Sequence, residues 1–213
     1  MNPDNHKYEI TDIAHPEHPF LHRIRALRDI GPTVAAGGLG GFVEHEGNLS
    51  YEDRNSWIYD DAIAANGAFV YEGAVLREYA VACGEARVCK GAVMSGHSRA
   101  EDHAHIDGAV MGGGARVSGA GTVFAIHPRK VPALNGSCVV LGHVTGNVRI
   151  TGKAVVLEDE KIANLAIDTV VVSEKGRSIE RSPDRDRLVP SAEYFGYDQP
   201  ERKQKRKQKE AER

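Results

Sequence analysis

One segment combines residue types that could perform acid–base chemistry. The stretch FAIHPRKVPALNG (124–136) holds His127, Arg129 and Lys130 within four positions. An imidazole titrates near neutral pH, so His127 is a candidate general base that would deprotonate a hydroxyl or an amine. No carboxylate that would orient His127 can be named from the sequence. The competing interpretation is a surface loop in which a histidine happens to precede a proline.

A second group of candidate ligands lies in GHSRAEDHAH (96–105), where His97, Asp102, His103 and His105 fall within ten residues. Histidine and carboxylate side chains bind zinc only when their ligand atoms converge to about 2.0–2.2 Å from one ion. The repeat described below places His97 and His103 at successive corners and His105 on a flat face. These histidines cannot converge on one ion within one chain, and only those of two chains together could do so. We therefore predict polar surface residues and no metal site.

The cysteines give no sign of a disulfide framework. Cys83, Cys89 and Cys138 are too few and too irregularly spaced for paired bridges or a zinc motif. The repeat directs Cys83 and Cys89 outward on adjacent faces, with nothing nearby that indicates an activated thiolate. Free thiols are typical of a reducing compartment, and the N-terminus shows no secretory signal. We predict a cytoplasmic protein that needs no cofactor.

Charge is distributed unevenly along the 213 residues, whose net charge is −3. The tail ERKQKRKQKEAER (201–213) carries seven basic and three acidic residues, which leaves the rest of the chain at −7. An acidic body argues against a nucleic-acid-binding domain. We predict that residues 199–213 form a disordered basic tail, and no apolar run is long enough to span a bilayer.

A period of six residues organises the centre of the chain. From Ala62 to Ala104 a small residue recurs at every sixth position, and an apolar residue follows each one two places later. The pattern extends back to Ser56, slips by one residue at Ala109, and returns at Gly142 after a break. Positions i and i+2 share one face of a strand, so each unit is a short strand followed by a turn. Strands this short must stack, and a hexapeptide period is typical of a parallel β-helix.

The repeat resembles the hexapeptide-repeat superfamily, whose members form a left-handed parallel β-helix with three units per coil. Over residues 7–157 the chain also resembles bacterial and prophage-type proteins labelled as transferases without an assigned reaction. That resemblance depends on HRIRALRDI (22–30), GGLGGFVE (37–44) and NLSYEDRNSWIYDDA (48–62). It implies an all-β chain, a homotrimer and a phage association. Superfamily acyltransferases use a histidine base and acetyl-coenzyme A bound between subunits, which is the role His127 would take.

The flanking segments complete the predicted organisation. Residues 1–49 form an N-terminal β cap, 50–157 the β-helix with an excursion loop at 124–136, and 158–198 a hairpin at 169–181 with a packing segment. The glycine-rich GGLGGF (37–42) lacks the Lys-Ser/Thr of a phosphate loop, and we interpret it as a turn.

Positions 18 apart should stack, which gives outward rows on three faces. The first row holds Phe69, Arg87 and His105, and the second holds Val75 and Val93. The third row holds Ile63 and Val81, followed by Arg99. Apolar outward residues need a cover, either a second subunit or the chain's own segment 158–198.

Three functions stay open at this stage. The preferred hypothesis is a non-enzymatic binding or assembly protein that uses its flat faces. The first alternative is an acyltransferase that acts on a small hydroxyl or amine acceptor. The second is an anion or nucleotide binder at a subunit groove, with Arg87, Arg99, Arg129 and Lys130 as ligands.

Overall fold

The computed structural model describes residues 5–185. The chain divides into two compact units, Met1–Arg181 and Ser182–Arg213, and only residues 182–185 of the second are described. The predicted basic tail, 199–213, lies outside the described residues. Within residues 5–185 the structure has no helix of the length and apolarity needed to cross a membrane.

The described chain is built from short strands and one single-turn 3-10 helix, Glu46–Asn48. The strands are β1 (Tyr8–Ala14), β2 (His22–Ala26), β3 (Leu39–Val43), β4 (Trp57–Ile58), β5 (Ile63–Ala64), β6 (Phe69–Val70), β7 (Val75–Leu76), β8 (Val81–Ala82), β9 (Arg87–Cys89), β10 (Val93–Met94), β11 (Arg99–Ala100), β12 (His105–Asp107), β13 (Val110–Met111), β14 (Arg116–Val117), β15 (Thr122–Phe124), β16 (Ala133–Leu134), β17 (Val139–Val140), β18 (His143–Gly146), β19 (Val148–Ile150), β20 (Val155–Val156), β21 (Lys161–Asn164), β22 (Thr169–Ser173) and β23 (Gly176–Glu180).

Three sheets form the walls of a parallel β-solenoid of about seven turns, which confirms the predicted all-β, β-helical fold class. The first sheet has the order β1-β2-β3-β5-β8-β11-β14-β17-β20. The second has the order β23-β22-β19-β16-β13-β10-β7-β4, and the third β21-β18-β15-β12-β9-β6. From β4 to β19 each strand pairs with the strand three elements later, so one coil contributes one strand to each wall. The left-handed sense of the coil stays a prediction.

The strand pairs agree with the predicted stacking of positions 18 residues apart. Val75 pairs with Val93 and Ile63 with Val81, as the 18-residue stacking rule predicts. Within one unit Val88 is fully buried and its neighbour Arg87 is exposed. The small residues at the corners and the aliphatic residues two places on are buried together and form one continuous core along the tube. Removal of this apolar surface from water is the main force that holds such short strands in place.

The corners repeat a backbone conformation as well as a sequence. A residue with positive φ occurs at every sixth position from Asp60 to Gly108, and six of these residues are not glycine. In several corners a carboxylate of one coil accepts the N–H of a positive-φ residue in the next coil. Asp60 Oδ2 accepts from Glu78 N at 3.0 Å, and Glu78 Oε2 accepts from Gly96 N at 2.7 Å. Three further bonds of this kind join Glu44 to Asn66, Asp53 to Glu72 and Asp102 to Gly119. We call these five bonds the corner ladder.

The N-terminal hairpin is present, with β1 and β2 antiparallel and residues 15–21 as the connection. The next strand departs from the predicted boundary at residue 49. β3 pairs in parallel with β5, so Leu39–Val43 already belongs to the first coil. Gly40 and Gly41 therefore lie in a strand and not in the predicted turn. A Cβ on Gly41 would come within 2.3 Å of the Ala62 carbonyl oxygen, so the close packing of this strand on the next coil requires glycine.

The C-terminal half also continues the solenoid further than residue 157. The loop outside the strands spans 125–132, inside the predicted excursion 124–136, because Ala133 and Leu134 form β16 and stack on β13. β21 extends the third sheet and β22 the second. The predicted hairpin at 169–181 is confirmed as β22 and β23, joined by a turn at Glu174 and Lys175.

Candidate functional site

The loop that contains His127 is held by local contacts. Arg129 N donates to His127 Nδ1 at 3.2 Å, and Lys130 N donates to the His127 carbonyl oxygen at 2.8 Å. The side chain of Lys130 reaches the Leu165 carbonyl oxygen at 2.5 Å. Because Nδ1 accepts an amide proton, the proton of the neutral ring lies on Nε2, which is therefore a donor. His127 would act as a base only after Nδ1 gives up its contact with Arg129 N. The structure thus places His127 in a tight turn on the surface, half-buried.

The four candidate anion ligands do not share a surface within one chain. Arg87 lies on β9 of the third sheet and Arg99 on β11 of the first, whereas Arg129 and Lys130 lie in the 125–132 loop. Arg99 is already paired, because its Nε lies 2.5 Å from Glu101 Oε1. An anion site that uses all four side chains would therefore need more than one subunit.

The histidines of residues 96–105 separate, as their corner positions predict. His97 stacks on Tyr79 with ring centroids 5.0 Å apart, and His103 Nδ1 lies 3.2 Å from Glu85 Oε2. His105 lies apart from both of these residues. It lies on β12, where it belongs to a cluster that the sequence reading missed.

That cluster consists of Cys89, His105 and Asp107 on the outer face of the third sheet. Cys89 on β9 is the register partner of Asp107 on β12, and His105 lies two residues before Asp107 on the same strand. One ligand atom from each of the three side chains lies within 4.8 Å of the other two, and Cys89 Sγ is 3.5 Å from His105 Nε2. Cys89 and Asp107 are buried and His105 is half-buried. We refer to these residues as the Cys-His-Asp cluster.

Polar and aromatic neighbours surround the cluster. Lys90 Nζ lies 2.5 Å from Asp107 Oδ2, and the lysine side chain is 63% exposed whereas that of Asp107 is 8% exposed. Tyr71 forms a hydrogen bond with the Cys89 thiol. The ring of His105 packs edge-on against Phe124 at 5.2 Å. The cluster is therefore packed among Tyr71, Phe124 and Lys90, and Lys90 is its most exposed neighbour.

Burial raises the pKa of the Cys89 thiol above its usual value, although the hydrogen bond with Tyr71 opposes that effect. Burial likewise raises the pKa of Cys83, and it raises that of Cys138 to about 11. All three thiols are protonated at neutral pH in the free protein. None of them has the depressed pKa of a nucleophilic cysteine, so the cluster is not preset for covalent catalysis.

A second buried polar group lies at the N-terminal end of the tube, and no sequence pattern predicted it. Lys7 Nζ donates to the Ser50 carbonyl oxygen at 2.7 Å and to Ser56 Oγ at 2.9 Å, and it lies 3.3 Å from Asp53 Oδ1. Burial lowers the pKa of Lys7 from 10.5 to about 8, although Asp53 acts in the opposite direction. Lys7 and Ser56 are fully buried, so no substrate reaches them and their role is structural.

The sequence contains a pattern that predicts the Cys-His-Asp cluster. The stacking rule that places Arg87 on His105 also places Cys89 on Asp107, since both pairs are 18 residues apart. The residue two places before Asp107 on the same strand face is His105. The histidines between His97 and His105 are neighbours in sequence, whereas the residues that meet in space are Cys89, His105 and Asp107.

Comparison with known proteins adds no assignment. The chain matches no family model, no curated protein and no solved structure. The fold and the geometry of the described residues are therefore the basis for the functional argument.

Proposed function

We propose that the protein is a non-enzymatic assembly or binding scaffold that associates with copies of itself, with a trimer as the expected form. The observation that carries the proposal is a row of small and apolar residues along the outer face of the second sheet. Val75, Val93, Val110 and Ala133 are successive register partners on β7, β10, β13 and β16. We call this row the apolar ladder. Val110 is 45% exposed.

Residues 158–180 of the chain's own C-terminal segment do not cover the apolar ladder. β21 is built into the third sheet, and β22 and β23 extend the second sheet beyond β19, at the end away from Val75 and Val93. Part of the other apolar row does have an intrachain cover. Phe42 and Ile63 on the first sheet pack with Leu21 from the N-terminal hairpin. The apolar ladder is thus the row that favours a cover from another subunit.

The shape of the ladder supports a protein partner over a small ligand. Small molecules bind mainly in concave pockets, whereas the ladder lies on a flat wall of parallel strands. A flat apolar row suits an equally flat row on a second copy, and closed symmetric assemblies are the usual result of such contacts. The resemblance to the hexapeptide-repeat superfamily supports three copies, and the resemblance of residues 22–62 supports the narrower proposal of a phage association.

The enzymatic and anion-binding hypotheses have less support. Acyl transfer needs a base, a donor site and an acceptor site, and His127 supplies only the first of these. The anion site would need Arg87, Arg99, Arg129 and Lys130, which lie apart in one chain. We expect no acetyl transfer from acetyl-coenzyme A to amino sugars or small amines. Transfer that disappears in a folded His127→Ala variant would instead establish the acyltransferase.

Light scattering of the full chain tests the assembly. The wild type should have a mass near three times 23.1 kDa. Val93→Glu should lower that mass, because a carboxylate in the middle of an apolar interface loses its water without gaining a partner. Val155→Glu is the matched control, since Val155 is 52% exposed at the far end of the first sheet. A monomeric wild type, or a folded Val93→Glu variant of unchanged mass, would refute the proposal.

A further inference from the structure

We propose that the Cys-His-Asp cluster is a binding site for a zinc-like divalent cation, with Cys89 Sγ, His105 Nε2 and an Asp107 carboxylate oxygen as ligands. The site lies on the third sheet, whereas the apolar ladder lies on the second, so this inference is independent of the proposed assembly. It also replaces the sequence-based expectation that the chain has no metal site. Among residues 5–185, this is the one group of three such side chains with ligand atoms this close together.

The spacing of the ligand atoms suits tetrahedral coordination. Zinc binds thiolate sulfur at about 2.3 Å and imidazole nitrogen at about 2.0–2.1 Å, so tetrahedral angles place these two atoms about 3.6 Å apart. The distance between Cys89 Sγ and His105 Nε2 is 3.5 Å. The cation would therefore need little movement of these two side chains.

The backbone beneath the site is rigid, which favours selective binding. Cys89 and Asp107 are register partners in a parallel ladder, and the amide of Gly108 donates to the Cys89 carbonyl oxygen at 3.0 Å. The Asp107 carbonyl oxygen accepts from Ala125 N at 2.8 Å. All three ligands thus project from paired strands and not from a loop.

The donor set identifies the class of ion. A thiolate, an imidazole and a carboxylate together suit Zn²⁺ and Co²⁺, whereas Mg²⁺ and Ca²⁺ prefer sites made of oxygen alone. Bound Zn²⁺ deprotonates a coordinating thiol, so the Cys89 proton would pass to solvent when the metal binds. Three protein ligands leave one tetrahedral position for water.

In the metal-free protein Lys90 occupies the carboxylate that the cation would bind. Its ammonium group pairs with Asp107 and neutralises the carboxylate that the metal would use. Because the lysine side chain is largely exposed, it can move into water when a cation displaces it. The cluster is therefore a site in which a lysine and a metal ion compete for one carboxylate.

Titration of the metal-free full chain with Co²⁺ tests the site, because the absorption spectrum reports the ligands. We expect one Co²⁺ per chain, with a thiolate-to-cobalt charge-transfer band that added Zn²⁺ abolishes. Cys89→Ser should remove the band and weaken binding by at least about 100-fold, since even the loss of a supporting residue costs 10–100-fold. Cys83→Ser is the matched control and should keep both.

Two further pairs of variants separate binding from folding. His105→Gln should weaken binding as Cys89→Ser does, whereas His103→Gln in the same segment should not. Lys90→Met removes the competitor from the surface without touching the core, so Co²⁺ should bind about two- to fivefold more tightly, as expected for the loss of an exposed ion pair. Circular dichroism checks that each variant is folded. Absence of stoichiometric binding, a thiolate band that persists in Cys89→Ser, or weaker binding by Lys90→Met would overturn the proposal.

Discussion

Arg99 and Arg116 are register partners on adjacent strands of the first sheet, and their like charges are held together by one carboxylate. Glu101 Oε1 lies 2.5 Å from Arg99 Nε, and Glu101 Oε2 lies 2.7 Å from Arg116 Nε. Like charges directly opposite each other on a sheet repel. Glu101 is only 13% exposed, so this pair of arginines depends on it.

This arrangement predicts a pH-dependent contribution to stability. Burial alone would raise the pKa of Glu101, yet hydrogen bonds from Arg99 and Arg116 outweigh it and hold the pKa below 4.5. A carboxyl whose pKa is lowered by folding stabilises the protein above its unfolded pKa, and that stability is lost as the pH falls. We expect Glu101→Gln to lower the free energy of unfolding by about 1 kcal/mol at pH 7 and by less at pH 4. Urea unfolding at both pH values measures this, and an equal loss at both would contradict it.

The close contact at Gly41 predicts a large effect from a single methyl group. Gly41→Ala would place a Cβ 2.3 Å from the Ala62 carbonyl oxygen and 2.6 Å from Ile58 Cγ2. Overpacking against backbone atoms should cost about 3 kcal/mol or more. Gly114→Ala is the control, because its Cβ meets nothing closer than 3.5 Å and its φ is not positive. Thermal melting should show a severe loss for the first variant and little change for the second.

The hydroxyl of Ser98 predicts a stabilising substitution. Ser98 occupies a corner position that is alanine in the seven other units from Ala62 to Ala104, and its Oγ is buried without a hydrogen-bond partner in the described structure. An unsatisfied buried hydroxyl costs about 1–3 kcal/mol. Ser98→Ala should therefore raise the free energy of unfolding by about 1 kcal/mol. Ala92→Ser, at the preceding corner, should lower it by a similar amount, and a destabilised Ser98→Ala would show that Ser98 has a partner.

The repeat made the walls of the tube predictable, because a strict six-residue period leaves one way to place each side chain. The stacks Phe69 on Arg87 and Val75 on Val93 followed directly from it. The start of the solenoid at β3 could not be predicted in this way. GGLGGF lacks the alternation of small and apolar residues, and its glycines reflect close packing across coils. Lys7 was equally hidden, since its burial depends on the hairpin that closes over Ser50 and Ser56. The Cys-His-Asp cluster joins two strands that are 18 residues apart, so Cys89 is not a neighbour of the other two members in sequence and only the pairing of Cys89 with Asp107 brings them together.

The corner ladder gives the solenoid a chemical direction. In each of its five bonds the carboxylate precedes the amide along the chain, from Asp60 to Glu78 and from Glu78 to Gly96. A coil that emerges later thus finds these five carboxylate acceptors already in place on the coils before it. It also finds backbone amide donors there, since Trp57 N donates to the Ala74 carbonyl oxygen and Phe69 N to that of Ala86. Growth from the first coil onward coincides with the order of synthesis on a ribosome. The tube is suited to lengthen by templating, one triangular layer at a time, while its remaining residues are still being translated.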